Sequence, residues 1–134
     1  MQQSEAKSLF FFQSGLDNEL LYELYESDYE STLQAFQIFL EELETNINDL
    51  HQAHQQQNII AFQRIIHRCK PVFSYVGLTD LNNLFQSIED QRGKLKTPGE
   101  VTPAFNDLVQ LIRAAEPKIK KERSRLEEFL AKQK

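Results

Sequence analysis

From Leu33 to Leu50 the apolar residues Leu33, Phe36, Phe39, Leu40, Leu43, Ile47 and Leu50 recur at intervals of mostly three and four. A stretch with that period gathers its apolar side chains onto one face only as a helix, because a strand sends successive residues to opposite sides. The pattern returns three times downstream. Phe62, Ile66, Cys69, Phe73 and Val76 form one stripe, and Leu81, Leu84, Phe85 and Ile88 a second. Phe105, Leu108, Leu111, Ile112, Ile119, Leu126 and Phe129 form the third. Gly and Pro number only four each, while helix formers such as Glu, Gln, Leu and Lys are plentiful. The expected fold is all-α. It is an antiparallel four-helix bundle with a short extra N-terminal helix and a long last helix kinked or broken at Pro117.

Residues 1–15 read as an N-terminal extension, and residues 16–134 as the bundle. The apolar patch Leu9–Phe12 is expected to pack onto the core or, in a longer protein, onto a neighbour. Asp17 suits the cap of the short helix, which runs to Glu26 with Leu20, Leu21 and Leu24 as its apolar side. Ser27 or Asp28 caps the long second helix, which ends near Gln55. Asn58 closes a polar turn and caps a third helix from about Ile59 to Tyr75, with Gly77 as its C-terminal break. Thr79 is the expected cap of the fourth helix, and Gly93 its end. Lys94–Pro103, with Thr97-Pro98-Gly99, reads as a loop, so the last helix is expected to start near Thr102 or Pro103.

At 134 residues and 40% apolar content the chain is the size of one domain and can bury a core. The net charge of −5 makes nucleic acid an unsuitable main partner. Charge is unevenly spread: no Lys or Arg lies between Ser8 and Gln63, where ten Asp and Glu do. That asymmetry is either ordinary solvated helix faces or a positive field around the middle of the chain. Cys69 is the single cysteine, so no intrachain disulfide can form, and its place on an apolar stripe marks an inert thiol. No apolar run approaches membrane-spanning length, and the first residues make a poor signal peptide, so no membrane association is expected and the cytoplasm is the expected location. No phosphate-cradling glycine loop is present, so the chain is not expected to bind ATP, act as an enzyme with its own nucleotide site, or carry a cofactor. His51 and His54 have a spacing that can hold a metal, but nothing in that turn completes a shell, and no metal site is expected. The basic run Lys118–Arg125 reads as a solvated helix face.

His67 is different from the other two histidines. On a helix advancing about 100° per residue it points roughly 150° away from the stripe through Phe62, Ile66, Cys69 and Phe73. It is therefore expected to face water. Gln63 and Lys70 lie on its side of the helix, and Ser74 follows one turn beyond Lys70. A neutral imidazole is a competent nucleophile toward an acyl phosphate near neutral pH, and an adjacent ammonium with polar neighbours would stabilise the resulting anion. Arg64 and Arg68 occupy the same exposed arc. Ile60 and Pro71 bracket the histidine and suit a surface that meets another protein.

The segment His67-Arg68-Cys69-Lys70-Pro71-Val72-Phe73-Ser74-Tyr75-Val76-Gly77-Leu78 resembles the core motif of histidine-containing phosphotransfer (HPt) domains. That family places Lys three residues after its phospho-accepting His, Gly ten after it, and a hydrophobic residue next. His67, Lys70, Gly77 and Leu78 match those points. The order of helices is also similar, best over Asp17 to Gln91. The family usually has Gly at the fourth position after the His, followed by a small residue; this chain has Pro71 and Val72. Pro71 is bulkier and removes the N–H due to the His67 carbonyl, so a kink is expected there.

The resemblance implies a phosphorelay intermediate. His67 would accept a phosphoryl group from a receiver-domain aspartate and pass it to another receiver, with Lys70 neutralising the phosphate and Gln63 and Ser74 as supporting hydrogen-bond partners. Ile60, Arg64, Arg68 and Pro71 would meet the partner, which is a response-regulator receiver and possibly a hybrid histidine kinase. Mg²⁺ would come with the receiver. The alternative is an HPt-shaped interaction module that binds receivers or kinases without transfer.

Overall fold

The computed structural model describes residues 9–13, 15–91 and 96–133. Among them are five helices: α1 Asn18–Tyr25, α2 Tyr29–Gln55, α3 Ile59–Tyr75, α4 Thr79–Asp90 and α5 Pro98–Lys132. Three starts follow from short polar side chains that satisfy orphan backbone donors. Asp17 accepts from the Leu20 N–H at 3.1 Å, Asp28 from Ser31 at 3.1 Å and Asn58 from Ala61 at 3.0 Å.

Two expected boundaries move. Thr79 does not cap α4. It is the first helical residue, Leu78 takes the cap position without a side-chain bond, and the Thr79 hydroxyl instead donates to Asp17 at 2.7 Å. The last helix starts at Pro98 rather than Thr102 or Pro103. Thr97 and Glu100 form a reciprocal capping box with Pro98 in the first turn, so the Pro-Gly pair that reads as a loop sits inside a helix start. Helix α5 then runs as one element through Pro103 and Pro117, so the last helix is not broken. The expected end of α4 at Gly93 falls outside the described residues.

Short turns join α1 to α2, α2 to α3 and α3 to α4. Helix α2 packs along both α5 and α3, and α3 along α4. The core between them holds Phe36, Ile47 and Leu50 of α2, Phe62 and Ile66 of α3, Phe85 of α4, and Leu108 and Ile119 of α5, all fully or almost fully buried. Each such side chain contributes about 1.5–3 kcal/mol by leaving water. Leu24 and Leu111, read as parts of apolar stripes, are exposed.

Upstream of α1 the chain is pinned across the bundle. Phe12 is buried, and Phe10 meets Tyr29 and Phe129 in edge-to-face contacts. Glu122, which the sequence places in a solvated basic face, is 0% exposed. Its Oε1 accepts from the Gln13 backbone N–H at 2.7 Å and from Arg125 at 2.6 Å. Arg125 also donates to the Phe11 carbonyl at 3.3 Å and lies 4.7 Å from the centre of the Phe10 ring. The Lys residues of that run are exposed as expected, but the carboxylate within it anchors the N-terminal segment.

Gly77 joins three helices. Its φ of +76° lies in the left-handed region that suits glycine. Its carbonyl accepts from the Asp17 N–H at 2.9 Å, and an added Cβ would lie 2.9 Å from Leu21 Cδ1 and 3.2 Å from the Asp17 nitrogen. Gly77→Ala is expected to destabilise the protein by about 2 kcal/mol or more, through backbone strain and overpacking together. Urea unfolding measures this; a midpoint equal to wild type would show that the joint yields freely.

Candidate functional site

The α3 stripe buries Phe62, Ile66, Cys69 and Phe73 and so turns His67 outward, where its side chain is 76% exposed. The helix continues through Pro71, which is itself exposed, to Tyr75. One residue before Pro71, the Lys70 carbonyl accepts from the Asn82 side chain at 2.8 Å, which ties α4 to this part of α3.

Two residues of α4 that were not among the expected site residues lie against His67 and Lys70. Glu89 Oε2 lies 2.6 Å from His67 Nδ1, and Glu89 Oε1 forms an ion pair with Lys70 Nζ at 2.5 Å. Lys70 Nζ also donates to Gln86 Oε1 at 2.6 Å, and Gln86 donates to Asp90 at 2.9 Å. Asn82, Gln86 and Glu89 recur at four and three residues, a polar stripe flanking the buried Leu81, Phe85 and Ile88. That spacing was visible; what it faces was not, because it depends on how α4 packs on α3.

The electrostatics follow from this bridge. The Lys70 ammonium holds the Glu89 carboxyl below its ordinary range, against the upward push of burial, with His67 adding to the effect. A carboxylate only accepts hydrogen bonds, so Nδ1 carries a hydrogen, and the neutral form of the ring has its lone pair on Nε2. A concavity of about 330 Å³ opens beside the ring, lined by Ile60, Gln63, Arg64, Ile66, His67, Ile88 and Glu89. Ile60 is 66% exposed at its rim.

The other expected site residues are distributed differently. Arg68 turns away to α2, donating to Asn46 and Asp49 at 2.9 Å each. Ser74 is half-buried and does not line the concavity, and Gly77 belongs to the joint with α1. Burial pushes the Cys69 thiol up to about 11, which suits a packed, unreactive residue. His54 stacks on Phe105 with centroids 4.2 Å apart and bonds Thr102 at 2.8 Å, while His51 meets the edge of the same ring. Among the described residues no group of three His, Cys, Asp or Glu could hold a metal, and no helix is long and apolar enough to cross a membrane.

His67 is thus an exposed imidazole with one nitrogen tethered, an ammonium one turn away and an apolar rim. The Hpt domain family matches residues 34–115, and the chain belongs to that family. Membership ties it to two-component phosphotransfer in general terms; domains of this family are carriers rather than enzymes with their own ATP site. Two solved structures share the fold. The HPT domain of an Hpt sensor hybrid histidine kinase from Shewanella is similar with a TM-score of 0.73 and 18% identity, over 83% of this chain and 95% of that one. Histidine-containing phosphotransfer protein B from Pseudomonas aeruginosa PAO1 is similar with a TM-score of 0.70 and 21% identity, over 84% and 96%. No curated protein matches the sequence.

The lowered Glu89 carboxyl has a consequence for stability. A carboxyl whose folded value lies below its unfolded one adds stability above the unfolded value and loses it as pH falls through the folded one. Wild type is therefore expected to lose stability from about pH 5 downward. Asp17, held low chiefly by the Leu20 N–H, contributes in the same window. Glu89→Gln should show a smaller loss over that range in urea unfolding at stepped pH; parallel curves would mean the bridge adds nothing to folding.

Proposed function

We propose that this chain is a phosphorelay intermediate in which His67 accepts a phosphoryl group from the aspartate of one receiver domain and passes it to another. The observation that carries this reading is the tethered, exposed ring. With Nδ1–H held by Glu89, Nε2 is left as the nucleophile. Its lone pair attacks the phosphorus of the aspartyl phosphate, the bond from phosphorus to the aspartate oxygen breaks, and the carboxylate leaves. The reverse step on a second receiver returns the electron pair to Nε2. Lys70 supplies positive charge one turn away, and Gln63 lies along the same concavity. Mg²⁺ belongs to the receiver in this reading. A hybrid histidine kinase would reach His67 through its receiver, and the cytoplasm is the compartment where these partners meet.

Ile60 and Arg64 form the partner-facing rim, with Pro71 one turn beyond His67 on the exposed side. Arg68 acts less directly, since Asn46 and Asp49 already hold its guanidinium.

Incubation with a phosphorylated receiver should label wild type and leave His67→Gln unlabelled. Lys70→Ala is expected to slow uptake by about tenfold, the worth of one charge-assisted contact. Equal labelling of His67→Gln would sink the proposal. Receiver binding without uptake by wild type would instead identify an interaction module that has lost transfer.

A further inference from the structure

The ammonium that would neutralise a phosphoryl group on His67 is already taken. Lys70 Nζ lies 2.5 Å from Glu89 Oε1 and 2.6 Å from Gln86 Oε1. The second oxygen of the same carboxylate holds His67 Nδ1 at 2.6 Å. Glu89 and Lys70 are largely covered, with side-chain exposures of 19% and 24%, so water screens this bridge less than it would a surface pair. A neutral side chain could hold the ring equally well by accepting from Nδ1–H. A carboxylate does something further: it places a full negative charge beside the atom that is to carry a dianionic group.

We infer that Glu89 is a resident rival of the phosphoryl group, holding Lys70 while His67 is unmodified, yielding it when Nε2 is phosphorylated, and by its own charge keeping the phosphorylated state short-lived. The inference rests on the reading of His67 as the acceptor, and makes Glu89 a positioning residue for Lys70 and the ring. Attack by Nε2 forms the N–P bond and leaves a ring that still carries its proton on Nδ1, facing Glu89. When the phosphoryl group departs to a carboxylate or to water, the N–P bond breaks and its electron pair returns to Nε2. The ring leaves as neutral imidazole with the Nδ1 proton in place, so no proton has to be fetched. A carboxylate at that hydrogen therefore favours departure twice, by charge repulsion and by retaining the proton that makes the ring a good leaving group. Charged groups on both packed helices take part: Lys70 and Arg64 from α3, Glu89 and Asp90 from α4.

The test uses phosphoramidate as a small phosphodonor, intact mass to count label, and desalting to start the decay at neutral pH. His67→Gln serves as the blank. The phosphorylated form of Glu89→Gln is expected to outlive that of wild type by roughly three- to tenfold, the effect of removing one unit charge about 6 Å away in a largely aqueous dielectric. In wild type the Lys70 ammonium resonance should shift on phosphorylation. In Glu89→Gln it should start from a different position before phosphorylation, a signature that a merely structural glutamate would not produce. Equal or shorter lifetimes in Glu89→Gln, with label present at His67, overturn the inference and leave the phosphorelay reading standing. Wild-type label no greater than that of His67→Gln overturns both.

Discussion

Helix α3 is held from two sides, and the site depends on that grip. Phe73 meets Phe39 of α2 with ring centroids 5.9 Å apart and Phe85 of α4 at 4.6 Å. A helix fixed by an apolar stripe between two neighbours has no rotational freedom left: moving it by one residue would drive His67 inward and Ile66 or Cys69 into water. The same packing sets the flank of α4 against α3 so that Gln86 and Glu89 reach Lys70. The arrangement around His67 is thus a by-product of close packing in the core, and Gly77 secures it at the far end by letting the chain reverse tightly against Asp17 and Leu21.

The helices were legible because the four longer ones each carry a buried stripe with a 3.6-residue period and three of the five begin at an Asp or Asn. The exposed position of His67 followed from the same geometry. What could not be read was pairing across helices. Glu89 looks like any solvated glutamate until α4 is set beside α3, and Glu122 looks like one more charge in a basic run until the N-terminal segment folds over it. Thr97-Pro98-Gly99-Glu100 carried two competing signals, a turn and a capping box, and the box prevailed because its two reciprocal bonds satisfy donors that a loop would leave open. Thr79 lost its expected role to a tertiary partner, since Asp17 offers its hydroxyl a carboxylate from another helix.

The uneven charge along the chain also finds a physical explanation. The acidic α2 receives Arg68 from α3 at Asp49 and Arg113 from α5 at Glu44. Bases of the second half thus answer acids of the first across helix boundaries. Exposed pairs of this kind are worth little individually. Their sign pattern still opposes a register in which α2 would face a like-charged helix. Arg64 has no such acid among the described residues and is left beside the concavity at His67.

Glu122 and Arg125 lie on the last helix, yet they hold the backbone of Gln13 and Phe11, and Phe10 and Phe12 fill the space between. The segment just before α1 is therefore stitched directly to α5, without passing through α3. The bonds of this seam and the contact of His67 with Glu89 share no residue.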